Sequence, residues 1–377
     1  MFTKVNYLSS NNYMNIAPFP FLFALFEEIH ALLRFVEKRL CFALTNRQII
    51  CFTYCRNCMN GPFRCLRRGF HQIASDFVSI VEVGPRDGLQ NVSKVIPTEA
   101  KVEFVNRLSA CGFRHIEIAS FVSPKWVPQM GDSAKVFTNI TQSPTVTYWA
   151  IVPNAKGFEA ATTSGVKAIA VGTSASETFC RKNWNQSIEQ SIATSASLLN
   201  KAQTAKMDTR AYISNVMGCP YEGEVSLTKV VSVVENVLSH GFEYVSLGDT
   251  NGVGTPNRWR SLLKQLDKLV PLKDVAVHCH DTYGQALPNI LSSLECGVRI
   301  VDSSVAGLGG CPYAPGASGN VATEDLVYML QGLGMACDVD LESLIVTGDY
   351  ICGVIGKETE SKVGRALLPG IKNKLNH

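Results

Sequence analysis

Val275-Ala276-Val277-His278-Cys279-His280-Asp281 opens as a short apolar, β-branched run and ends in two imidazoles two residues apart. Alternate residues of a strand share a face. His278 and His280 therefore leave one side together, and Cys279 points to the other. The same rhythm runs to either side of this stretch. Residues 80–83, 115–119, 146–152, 168–172, 209–216, 244–247 and 300–305 also read as strands. Between them lie helical patterns at 98–111, 187–205, 227–240 and 286–296, and Gly112, Gly241 and Gly297 are placed to stop three of them. Eight strands, each followed by a helical excursion, over about 250 residues predict a closed (β/α)8 TIM barrel. An open doubly wound sheet is the alternative, but it usually has fewer strands, and no Gly-x-Gly-x-x-Gly turn follows the first strand. The expected organisation is an N-terminal extension over 1–77, a barrel over 78–340, and a C-terminal helical segment and tail over 341–377.

The chain has 377 residues, 46% of them hydrophobic and 18% charged, which suits a globular protein with a sizeable core. A net charge of +3 with scattered basic residues gives no nucleic-acid footprint. Its 13 cysteines are odd in number and irregularly spaced, which reads as reduced thiols rather than a secreted disulfide framework. Cys51, Cys55, Cys58 and Cys65 lack the second Cys-x-x-Cys of a structural zinc site. The apolar run at 16–26 is too short to span a bilayer. Residues 39–75 carry no acid but include Arg39, Arg47, Arg56, Arg64, Arg67 and Arg68. From Met59 onward this composition is that of a mitochondrial transit peptide, so the extension reads as targeting or poorly ordered. The mitochondrial matrix is the expected location, with the cytoplasm as the alternative.

In such barrels chemistry gathers at the carboxyl ends of the strands. Those ends carry Arg86 and Asp87 in Gly84-Pro85-Arg86-Asp87-Gly88-Leu89-Gln90-Asn91, Glu117 on the second strand and Asp249 on the sixth. The seventh brings His278, His280 and Asp281. The eighth runs into a glycine-rich loop holding Cys311 and ending at Asn320. Two imidazoles with oxygen ligands suit Mg, Mn or Zn better than a thiophilic metal. Asp87 is the best carboxylate candidate, since closure sets it beside the eighth strand, and Asn320 offers an amide oxygen. Asp281, Asp249 and Glu117 are competing acids, expected to orient a histidine or pair with Arg86 rather than ligate. Two separately satisfied histidines are the plainer alternative. Arg86 either stabilises a developing oxyanion or holds an acid in place, and the two roles are compatible. A thiol in a mobile loop, Cys311, suits proton transfer, although it is also one of many ordinary cysteines.

These motifs resemble the 3-hydroxy-3-methylglutaryl-CoA lyase family. The resemblance rests on residues 84–91, on Ser120-Phe121-Val122-Ser123-Pro124-Lys125-Trp126-Val127-Pro128-Gln129-Met130, on Gly218-Cys219-Pro220-Tyr221-Glu222-Gly223, on residues 278–286 and on the loop 307–320. It covers about residues 79–341. The Arg-Asp start and His-x-His are shared with the wider group that includes pyruvate-carboxylase domains and isopropylmalate synthases, whereas the Cys311 loop belongs to the lyase. The resemblance implies a Mg or Mn ion held by Asp87, His278, His280 and Asn320. It implies catalysis by Cys311, Arg86, Asp87 and His278 with support from Glu117 and Asp249, substrate binding by Arg86, an acyl-CoA substrate and a homodimer. The implied reaction yields acetoacetate and acetyl-CoA, in leucine breakdown and ketone-body formation. The N-terminal extension, Asn251 in a rim turn, and a C-terminus ending Lys374-Leu375-Asn376-His377 depart from the family pattern. A Claisen condensing enzyme of the isopropylmalate or homocitrate type is the competing enzyme, and a non-catalytic barrel scaffold the competing non-enzyme.

Overall fold

A computed structural model describes residues 77–310 and 319–375. The readings placed on Met59 and on the cysteines at 51–65 lie outside them. Eight parallel strands close into a barrel in sequence order. They are β1 (Ser79–Glu82), β2 (His115–Ser120), β3 (Thr147–Ile151), β4 (Ala168–Ser174), β5 (Asp208–Ser214), β6 (Val245–Asp249), β7 (Val275–Cys279) and β8 (Ile300–Ser303). Closure joins β8 to β1, with Ser79 opposite Ile300 and Glu82 opposite Ser303.

The connections carry α1 (Thr98–Ala110), α2 (Ser133–Asn139), α3 (Ala155–Thr163), α4 (Glu177–Trp184), α5 (Ile188–Thr204), α6 (Leu227–Ser239), α7 (Pro256–Leu266), α8 (Ala286–Cys296) and α9 (Thr323–Gly332). Two more helices, α10 (Leu341–Ile355) and α11 (Lys362–Leu375), end the chain. Side-chain caps start several of them. Asn154, Ser226 and Asp340 each accept a backbone N–H of their first turn, and Ser187 with Gln190 forms a reciprocal capping box ahead of α5. The apolar face of the outer ring packs on the strands' outward residues, with Trp259, Phe104, Leu199 and Ile169 fully buried. No helix among the described residues is long and apolar enough to cross a membrane.

Inside, the barrel departs from the layers of branched aliphatics usual for this fold. Arg86, Glu117, Arg210, His278 and Asp302 are all buried strand or strand-end residues. Charges stay in such a place only when paired and hydrogen-bonded.

Candidate metal and active site

Immediately past β1 the chain makes one wide turn, Gly84–Gly88, in which the amides of Arg86, Asp87 and Gly88 all donate to Val83 O. Gly84 is required there: a Cβ would lie 2.6 Å from Glu82 Oε1, which accepts the Gly84 amide at 2.8 Å. The turn delivers Arg86 and Asp87 to the carboxyl rim. Arg86 Nε donates to Glu117 Oε1 on β2, and its Nη1 donates to Asp87 Oδ1. The Arg86 guanidinium also sits 5.7 Å from the centre of the Tyr212 ring on β5, and the Tyr212 hydroxyl donates to Glu117 Oε2 at 3.0 Å.

Ligand atoms of Asp87, His278 and His280 all lie within 4.8 Å of one another. His278 Nε2 is 3.8 Å from Asp87 Oδ2, too long for a hydrogen bond but within the span of two donors sharing one cation. The two imidazole rings are 5.3 Å apart. Asn320 joins them: its Nδ2 donates to Asp87 Oδ2 at 2.8 Å and to Leu308 O at 3.1 Å. With both amide hydrogens so used, its oxygen carries the remaining lone pairs.

The electrostatics suit a cation. Burial alone would raise the Asp87 carboxyl, but the Arg86 charge and the two imidazoles outweigh it and hold Asp87 well below the usual carboxylate range. Burial, reinforced by His278, lowers His280 to about 4, so its imidazole is neutral, as a ligand must be. His280 Nδ1 is buried with no hydrogen-bond partner among the described residues. An orphaned ring nitrogen beside a carboxylate and a second imidazole fits a hard or borderline divalent metal.

The acids fare differently from one another. Glu117 pairs with Arg86. Asp249 accepts the Val253 and Gly254 amides at 3.1 and 2.8 Å, holding the turn after β6, and burial raises it to about 6. Asp281 accepts the Ala286 amide at the start of α8. The acid on His278 is none of these three. Asp302 on β8 faces His278 Nδ1 at 3.3 Å, and sequence reasoning did not single it out. It missed Arg210, Tyr212, Glu82 and Glu324 as well. For Asp302, Arg210 and Tyr212 the signal available was a charged or phenolic residue inside an otherwise apolar strand. Cys311 lies outside the described residues. The chain on either side of its loop is pinned beside the cluster, since Gly319 N donates to Gly309 O at 3.1 Å.

The HMGL-like family model matches residues 77–351. The mitochondrial hydroxymethylglutaryl-CoA lyase of Gallus gallus is 52% identical over 289 residues, which span 77% of this chain and 97% of that one. Among solved structures, hydroxymethylglutaryl-CoA lyase from Pseudomonas aeruginosa superposes with a TM-score of 0.77 at 50% identity, covering 79% of this chain and 99% of that one. An HMG-CoA lyase from Acinetobacter baumannii, in complex with coenzyme A and 3-methylmalate, matches at 36% identity and a TM-score of 0.74, covering 77% and 95%. Fold, motif positions and identity along the whole barrel agree, and the chain belongs to the HMGL-like family.

Proposed function

We propose that this protein is a metal-dependent carbon–carbon lyase that cleaves 3-hydroxy-3-methylglutaryl-CoA to acetoacetate and acetyl-CoA. The observation that carries the reading is the Asp87–His278–His280 cluster with Arg86 fixed against it. Asp87, His278, His280 and the Asn320 amide oxygen would hold a Mg or Mn ion. That ion, when bound, supplies Lewis acidity that makes a chelated tertiary hydroxyl easier to deprotonate.

The chain's own groups do the rest. Asp87, or a water at the cluster, accepts the proton of the 3-hydroxyl, since His278 has its one lone pair committed to the ion and its N–H to Asp302. The C2–C3 bond then breaks, its electron pair passing to the thioester as the acetyl-CoA enolate while C3 becomes the ketone of acetoacetate. Arg86, locked between Glu117 and Asp87, presents a fixed positive charge to the enolate oxygen without reorganising. Cys311 gives its thiol proton to C2. Asp249 supports the rim by holding the turn after β6. An acyl-CoA substrate, homodimeric assembly and the mitochondrial matrix belong to the same proposal. The last draws on the acid-free Arg-rich stretch and on the mitochondrial relative.

Purified protein incubated with 3-hydroxy-3-methylglutaryl-CoA and Mg²⁺ should release acetoacetate. His278→Ala and Cys311→Ala should each lower the rate by about 10²-fold or more. Folded, metal-loaded protein that releases none refutes the lyase. Condensation of acetyl-CoA with a 2-oxo acid would favour the synthase reading instead.

A further inference from the structure

Below the metal cluster, one buried arginine stands under both halves of the site. Arg210 on β5 sends Nη2 to both carboxylate oxygens of Asp302, each at 2.8 Å. Asp302 also accepts the Ser246 hydroxyl at 2.7 Å and faces His278 Nδ1 at 3.3 Å. His278 and Asp302 are direct ladder partners on β7 and β8, so the contact is built into the strand register. The same Arg210 guanidinium stacks 4.7 Å from the centre of the Tyr212 ring, whose hydroxyl holds Glu117, which in turn holds Arg86. One arm therefore ends at His278 and the other at Arg86.

A neutral imidazole has one N–H. Asp302 accepts it at Nδ1, which leaves the Nε2 lone pair facing Asp87, where a cation would sit. Asp302 meets three donors and is fully committed; loss of any one loosens the ring it fixes. The fold alone does not call for this: an aliphatic layer would fill the barrel at no electrostatic risk.

Resting on the metal-lyase reading, we propose that Asp302 is the positioning residue of His278 and that Arg210 is a common brace, holding Asp302 under His278 and, through Tyr212, Glu117 against Arg86. The test uses metal-free full-length protein, with Mn²⁺ affinity read by electron paramagnetic resonance of the free ion. Histidine tautomers are read by long-range ¹H–¹⁵N correlation after ¹⁵N-histidine labelling, and kcat and KM are followed separately. Asp302→Asn should weaken Mn²⁺ binding by about 10–100-fold and abolish the fixed Nδ1–H tautomer of His278. Ser246→Ala, which leaves the charges intact, should weaken it in the same direction and guards against an Asp302 variant that fails to fold. Tyr212→Phe should leave Mn²⁺ affinity within about twofold and lower kcat at unchanged KM. Arg210→Lys keeps a charge near Asp302 but loses the planar stack, so it should retain more metal affinity than kcat. Unchanged Mn²⁺ affinity with an intact tautomer in Asp302→Asn overturns the brace. Wild-type protein that binds Mn²⁺ through a fixed His278 yet cleaves no substrate overturns the lyase reading and leaves the brace standing.

Discussion

Glu324 sits behind the turn after β8, and both of its oxygens lie 2.9 Å from the Ala306 amide that donates to them. Ala306 holds a left-handed φ of 58°, a conformation that disfavours a residue with a Cβ, and Glu324 is what keeps it there. Close by, Glu82 accepts the Gly84 and Val305 amides and the Thr323 hydroxyl, tying the turn after β1 to the turn after β8. Burial raises Glu324 to about 8 and Glu82 to about 7. A carboxyl whose folded pKa lies above its unfolded value binds its proton more tightly in the native state. The stability it contributes is complete below the unfolded pKa and is lost as pH rises through the folded one. Metal-free protein should therefore show a urea midpoint that falls between about pH 5 and pH 9. Glu324→Gln, uncharged and still able to accept the Ala306 amide, should flatten that decline; a slope unchanged in the variant would place the effect elsewhere. Neither acid was legible beforehand. In sequence Glu82 breaks an apolar strand and Glu324 opens a helix, and only barrel closure sets both against the rim.

Helix α10 offers a paired test at the level of an element, because it carries two glycines with opposite surroundings. A Cβ at Gly348 would lie 2.7 Å from Glu324 Oε1 and 3.4 Å from Val305 Cγ2, whereas a Cβ at Gly353 would meet nothing within 4 Å. Gly353→Ala should stabilise by about 0.5–1 kcal/mol through helix propensity. Gly348→Ala gains the same propensity but pushes on a buried carboxyl, so it should destabilise by about 1–3 kcal/mol. Equal shifts in thermal midpoint for the two variants would mean α10 does not press on Glu324. Elements of this kind were mostly readable in advance. The eight strands stand out because short β-branched runs recur between turn residues, and α8 matches residues 286–296 end to end. The Gly84–Gly88 turn and the irregularity in β2 between Glu117 and Ala119 were not foreseen, since both arise from contacts across the barrel rather than from local preference. The two His-x-His residues and Asp87 were legible because strand period and rim position suffice to bring them together.

The molecule as a whole fills its barrel with ion pairs where close packing of aliphatics would serve the fold, and this separates what stabilises it from what positions its site. Arg210 and Asp302 are 4% and 1% exposed, and each leaves an uncompensated charge if the other is removed. Breaking such a pair from one side typically destabilises by about 3–5 kcal/mol, while replacing both members by apolar residues of similar size is often neutral or better. Arg210→Met alone should lower the denaturation midpoint sharply. Arg210→Met with Asp302→Leu should recover it to within about 1–2 kcal/mol of the parent. Recovery of stability should bring no recovery of metal affinity, because the double variant no longer fixes His278. Calorimetric unfolding and Mn²⁺ titration of the same preparations decide the matter. A double variant that is stable and binds Mn²⁺ like the parent would show that the buried charges serve neither purpose. One that stays as unstable as the single variant would show that the pair is needed for the barrel itself.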